Sequence, residues 1–90
     1  MTSEFEPRIL VNAGQLRQNA NKTISIMLKV DSEAGNNLTA TSTDKQKVQV
    51  KLPDMLGSRP GNWVEVIGTP VGGDSIRATE VRFGIIFFFI

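Results

Sequence analysis

The sequence predicts an all-β protein: a small five-stranded barrel preceded by a short N-terminal helix. Two observations carry that prediction. Stretches of alternating apolar and polar residues recur along the chain, the period-two signature of strands with one face in a core and one outside. Clusters of Gly, Pro, Asn and Asp separate them, as turns require. At 90 residues there is room for one domain. A chain of this size buries only about 60–65% of its extended surface, so its core is small.

Composition removes whole classes of function. There is no Cys, which excludes disulfides and thiolate metal sites. There is no His, the commonest general base and metal ligand. The nine carboxylates and ten basic residues form no recognisable catalytic or metal-binding constellation, and no cofactor or small-molecule substrate is implied. Net charge is +1, so any nucleic-acid binding must come from local clusters rather than the overall field. The first residues carry Glu4 and Glu6 and no apolar run, unlike a secretory signal. The sequons at Asn21 and Asn37 are therefore read as chance.

Residues 1–6 are polar and expected to be disordered. The domain spans residues 7–84, and residues 85–90 form an apolar tail. After the apolar segment Ile9-Leu10-Val11, Asn12 and Gln15 stand three apart as in a capping box. The spacing predicts a short helix ending by Asn21, with Leu16 and Ala20 on one face. Gly14 weakens it by about 1 kcal/mol relative to Ala, so packing must hold it.

Residues 23–30 alternate cleanly, with Ile24, Ile26, Leu28 and Val30 inward and Thr23, Ser25, Met27 and Lys29 outward. A turn cluster at residues 31–36 leads to a threonine-rich strand over 37–43. Asp44-Lys45 turns into a third strand over 46–52, with Val48, Val50 and Leu52 inward and Lys47, Gln49 and Lys51 outward. Residues 53–60 form a linker whose Met55 and Leu56 are expected to plug one end of the barrel. The best-marked strand, 62–69, follows Pro60-Gly61 and contains Trp63-Val64-Glu65-Val66-Ile67. A loop with Gly72-Gly73 joins it to the fifth strand, 75–83, as a hairpin. There Ile76 and Ala78 are in one phase and Val81 and Phe83 in the other, so a bulge is predicted near Thr79-Glu80.

Five strands, with a longer connection between the third and fourth, suit the oligonucleotide-binding (OB) Greek-key barrel. An SH3-like barrel is the structural alternative.

Three segments carry a family resemblance. Arg8-Ile9-Leu10-Val11-Asn12-Ala13-Gly14-Gln15-Leu16 resembles the opening segment of the smallest subunit of replication protein A. Trp63-Val64-Glu65-Val66-Ile67-Gly68 resembles that family's fourth strand, and Ile76-Arg77-Ala78-Thr79 through Phe83-Gly84 its fifth. The resemblance implies a single OB fold in a nuclear heterotrimer that coats single-stranded DNA in replication, repair and recombination. It implies a non-enzymatic assembly subunit that contacts the middle and large subunits and meets DNA mainly through the complex. The Ten1-like subunit of the telomere-capping complex has the same architecture and is the alternative, as is a stand-alone OB module. The resemblance stops at Gly84. The family's bundle-forming C-terminal helix has no counterpart in Ile85-Ile86-Phe87-Phe88-Phe89-Ile90. Either the chain is cut short or spliced differently, or this tail is a divergent replacement. Six apolar residues have no amphipathic face and fall far below the ~20 that span a bilayer, so no membrane is implied.

Two sets of site residues follow. Lys29, Lys45, Lys47 and Lys51, on or beside outward strand faces, and Arg77 on the fifth strand are the nucleic-acid candidates. Outward lysines also solubilise a barrel and protect its edges, and the first three strands carry no aromatic side chain for a base to stack on. Thr39, Thr41 and Thr43 offer hydroxyls, though threonine is ordinary in strands. The partner-interface candidates are Val11, Leu16, Trp63, Ile85, Ile86, Phe87, Phe88 and Phe89. Alternation sets Trp63 out of phase with Val64 and Val66, on the outer surface or rim. Protein packing suits it there better than base stacking.

Overall fold

The computed structural model describes residues 9–83. Strand β1 is Ile9–Val11, β2 Ile24–Ala34, β3 Asn37–Ser42, β4 Lys47–Lys51, β5 Trp63–Pro70 and β6 Ser75–Phe83. The strands neighbour one another in the order β1-β2-β3-β4-β6-β5, and a β2–β5 pairing closes the sheet on itself. Five strands, β2 to β6, thus make a closed barrel of OB type. Each predicted strand is present within a few residues of its expected ends. The predicted disordered stretch and the apolar tail lie outside the described residues.

The inward phases pack one core. Ile24, Ile26, Leu28 and Val30 of β2 meet Leu38 and Ala40 of β3, Val48 and Val50 of β4, Val64 and Val66 of β5, and Ile76 and Ala78 of β6. Burial alternates along β3 and β4 because successive side chains point to opposite faces, while β2 and β5 also bury outward-phase residues, Ser25 and Ile67. β2 is longer than expected: the turn cluster contracts to Gly35-Asn36, with Gly35 at φ +62, and residues 31–34 extend the strand. β2 is long enough to hold β5 along one edge and both β1 and β3 along the other.

The bulge falls where it was expected. Ile67 pairs with Glu80 and Gly68 with Ala78, so Thr79 is the extra residue, and its hydroxyl donates to the Ile67 carbonyl at 3.1 Å. The phase change at Thr79 turns Val81 back toward the core, against which it packs.

Two expectations are corrected. The short helix is instead two 3-10 turns, Ala13–Gln15 and Arg17–Asn19. The capping geometry survives in part, since the Asn12 N–H donates to Gln15 Oε1 at 3.0 Å. The segment is held from outside: the Ala13 N–H donates to Ser42 Oγ and the Gly14 N–H to Asp44 Oδ2, both at 3.0 Å. Those bonds satisfy backbone donors that a regular helix leaves open in its first turn. The segment before it, read only as apolar, is a strand: β1 runs parallel to β2 with Ile9 opposite Ile24 and Val11 opposite Ile26.

The plug expected of Met55 and Leu56 comes from Leu56 alone, which packs on the core, while Met55 is 70% exposed. The irregular connection between β4 and β5 is tied to β2. Glu33 accepts from the N–H groups of Leu56, Gly57 and Ser58 and from the Ser58 hydroxyl. Gly61 N–H donates to the Val30 carbonyl and Val30 N–H to the Asn62 carbonyl, both at 2.8 Å.

Candidate nucleic-acid and partner surfaces

Barrel closure assembles a row of outward side chains across four strands. Lys47 of β4 stands opposite Thr41 of β3, Thr41 opposite Lys29 of β2, and Lys29 opposite Trp63 of β5. Directly opposed residues on one face of a sheet have Cβ atoms about 4.5–5.5 Å apart, close enough to act as a unit. Beside this row lies an open cavity of about 340 Å³, lined by Lys29, Thr41, Ser42, Thr43, Lys45 and Trp63. Lys45 reaches it from the β3–β4 turn, where its backbone takes φ +70 and its N–H donates to the Ser42 carbonyl at 2.9 Å.

The lysines are not equivalent. Lys47 Nζ lies 2.8 Å from Asp31 Oδ2, and the Thr41 hydroxyl donates to the same oxygen at 2.7 Å. The Lys47 and Thr41 hydrogen bonds hold the Asp31 carboxyl below its usual range. Lys47 is therefore already partnered. The side-chain amino groups of Lys29 and Lys45 make no ion pair or hydrogen bond among the described residues, and both residues are exposed.

The other two predicted cations sit apart. Lys51 and Arg77 oppose each other in the parallel β4–β6 pairing, two residue pairs beyond Gln49 and Thr39. The structure thus divides the five candidates into a cluster of Lys29, Lys45 and Lys47 beside Trp63, and a separate pair.

The partner-interface candidates divide as well. Val11 and Leu16 are corrected to core residues: Leu16 is 0% exposed, and Val11 faces inward opposite Ile26. Neither side chain can reach a partner without leaving the core. Trp63 is outward and half-buried, as alternation implied. Ile85, Ile86, Phe87, Phe88 and Phe89 lie outside the described residues. Sequence reasoning passed over Ile9 and Leu10, which are 48% and 66% exposed. Alternation could have found Leu10 alone, once the stretch is recognised as a strand; Ile9 shares the phase of Val11 and is exposed at the strand's first residue.

Among the described residues no group of three or more carboxylates is placed to hold a metal. No helix among them is long and apolar enough to cross a membrane.

The family model for replication factor A protein 3 matches residues 1–83. The chain belongs to the replication factor A protein 3 family. In fold it is similar to a chain in the structure of U. maydis replication protein A bound to ssDNA, with TM-score 0.78 and 30% identity, covering 90% of this chain and 76% of that one. It is also similar to telomere capping protein Ten1 from Saccharomyces pombe, with TM-score 0.77, 12% identity and coverage of 91% and 86%. A chain of the S. pombe Stn1-Ten1 complex matches with TM-score 0.76, 13% identity and coverage of 93% and 83%. At 12–13% identity the last two show the shared barrel alone. No curated protein sequence matches. The replication factor A protein 3 barrel and its telomeric counterpart are thus one fold, the OB rather than the SH3-like alternative.

Proposed function

We propose that this replication factor A protein 3 family member is a non-enzymatic assembly subunit of a nuclear, replication-protein-A-like heterotrimer. It docks to the middle and large subunits, and the complex coats single-stranded DNA during replication, repair and recombination. The observation that carries this reading is the family match over residues 1–83, joined to 30% identity with a chain of replication protein A solved on ssDNA. The Ten1-like reading has a TM-score of 0.77 against 0.78 but only 12% identity behind it.

The surface supports docking. Ile9 and Leu10 form an exposed apolar pair on the short strand β1, and Phe83 is exposed at the end of β6. Scattered exposed apolar residues are normal, but Leu10, the more exposed of the two, stands on the outward face of a sheet edge, which suits a protein contact. The apolar run Ile85 to Phe89 continues directly from Phe83-Gly84, and we include it in the partner surface.

The test is co-expression with the middle subunit's OB domain and its C-terminal helix, followed by size-exclusion chromatography. Co-elution at one-to-one stoichiometry is expected. Separate elution of the two proteins rejects the assembly role.

A further inference from the structure

The β3–β4 turn carries a residue that the fold does not need there. Thr43, Asp44 and Lys45 form a three-residue hairpin loop: the Lys45 N–H donates to the Ser42 carbonyl and the Ser42 N–H to the Gln46 carbonyl, both at 2.9 Å. The last residue of such a loop takes a left-handed backbone, which Gly or Asn adopts at least cost. Lys45 occupies it at φ +70. Its amino group does nothing for the turn, since it makes no ion pair or hydrogen bond among the described residues. What the lysine supplies is a charge on the wall of the open cavity of about 340 Å³.

Lys29 lines the same cavity with an equally unpaired amino group. The carboxylates beside the two lysines in the chain are committed elsewhere. Asp31 Oδ2 accepts from Lys47 Nζ and from the Thr41 hydroxyl. Asp44 Oδ2 accepts from the Gly14 N–H and from Gln46 Nε2. Trp63 is engaged within the protein, so it supplies a wall and no free face. The cavity therefore offers two ammonium groups, with the Thr43 hydroxyl beside them, to an anion. Two charges suit a short acidic segment. A single-stranded nucleic acid needs a stacking platform as well, and strands β2 to β4 carry no aromatic side chain. It also needs cations in line, and the next one along this row, Lys47, already serves Asp31.

We propose that the cavity between Lys29 and Lys45 docks a short acidic segment of a partner protein, two carboxylates of that segment meeting the two ammonium groups. Lys45 then sits in a backbone that disfavours it because its charge is the contact. The site is separate from Leu10 and Phe83, and it stands independently of the assembly role, which co-elution measures.

The test is titration of the isotope-labelled full-length chain at low salt with the end-blocked peptide Ser-Glu-Val-Glu-Ser, followed by backbone amide NMR shifts. Its two glutamates share one side when the peptide is extended. Saturable shifts are expected at residue 29 and residues 41–45, and the Ser-Gln-Val-Gln-Ser counterpart should leave those signals in place. Lys29→Gln and Lys45→Asn should each weaken binding about threefold, within the range of an exposed ion pair. Lys22→Gln, away from the cavity, should leave it unchanged. Lys45→Asn separates docking from folding, because Asn suits the left-handed backbone. It should melt at the native temperature or above while binding more weakly; melting below the native chain would make Lys45 a support of the turn and overturn the proposal. Absence of saturable shifts in the unmodified protein overturns it without any variant needing to fold. Equal shifts at Lys22, Lys51 and Arg77 would reduce it to general charge attraction and overturn it too. Tighter binding at the same residues by trithymidylate, which also carries two negative charges, would assign the cavity to nucleic acid instead.

Discussion

Gly68 lies so close to Arg77 that a Cβ placed on it would stand 2.2 Å from the Arg77 carbonyl oxygen and 2.8 Å from the Ala78 Cα. No real side chain tolerates such proximity to backbone. The cause is the bulge: β6 carries Thr79 as an extra residue opposite the Ile67–Gly68 step, which bends one strand into the other. Gly68→Ala is therefore expected to destabilise the barrel by about 1–3 kcal/mol, the usual cost of overpacking. Urea unfolding checks it. Gly73→Ala is the comparison: there the near atoms are the far end of the Arg17 side chain, which can swing away, so a smaller loss is expected.

Glu33 clamps the β4–β5 connection, and its charge is part of the clamp. The Ser58 hydroxyl, then the N–H groups of Leu56, Ser58 and Gly57, outweigh the opposing effect of burial and lower its pKa from 4.5 to about 2. A depressed carboxyl pKa means the fold prefers the ionised form. Its stabilisation is complete above the unfolded value near 4.5 and is lost as pH falls toward about 2. Thermal unfolding between those limits should fall more steeply for the native chain than for Glu33→Gln, which has no proton to gain there. Asp31 and Asp44 also have lowered pKa values and are present in both proteins, so the difference between the curves isolates Glu33. At pH 7, Glu33→Ala should cost about 1–2 kcal/mol, since partial exposure weakens each charged hydrogen bond. Parallel curves for the two proteins would refute the clamp.

Ser42 belongs to the inward phase of β3, where a hydroxyl needs a reason. It is 3% exposed and accepts the Ala13 N–H at 3.0 Å. Ser42→Ala leaves that buried donor without its acceptor, and a loss of about 1–3 kcal/mol is expected. Thr43→Ala, next in the chain but exposed, should stay within about 0.5 kcal/mol. Chemical denaturation of the two variants separates a buried bond from a surface hydroxyl.

Leu16 and Leu10 should behave oppositely. Leu16→Ala empties a fully buried position and is expected to cost about 2–5 kcal/mol. At temperatures where that variant stays folded, its co-elution with the middle subunit should be unchanged. Leu10→Asp alters an exposed side chain and should leave stability within about 0.5 kcal/mol while weakening co-elution. Loss of partner binding in folded Leu16→Ala would return Leu16 to the interface.

The strands were legible because alternation is local. Residues 24–30, 47–51 and 63–67 each declare an inner and an outer face without reference to the rest of the chain. The bulge at Thr79 was legible for the same reason, as a change of phase within one segment. The 3-10 turns were not, because their conformation depends on Ser42 and Asp44, distant in sequence, taking the N–H groups of Ala13 and Gly14. Strand β1 was missed because three residues are too few to show a period, and it is paired only where β2 supplies an edge.

The sequence by itself determined that this chain is a thiol-free β-barrel with a Val/Ile/Leu interior, and which side of strands β2 to β6 faces the core. Only the tertiary structure decided which outer faces lie side by side. Trp63 beside Lys29, Lys47 held by Asp31, and Leu16 sealed inside all depend on closure between β2 and β5 or on packing between distant segments. The physical reason is that a strand's pattern fixes its two faces, whereas its neighbours are chosen by the ladder hydrogen bonds and shared core of the whole barrel.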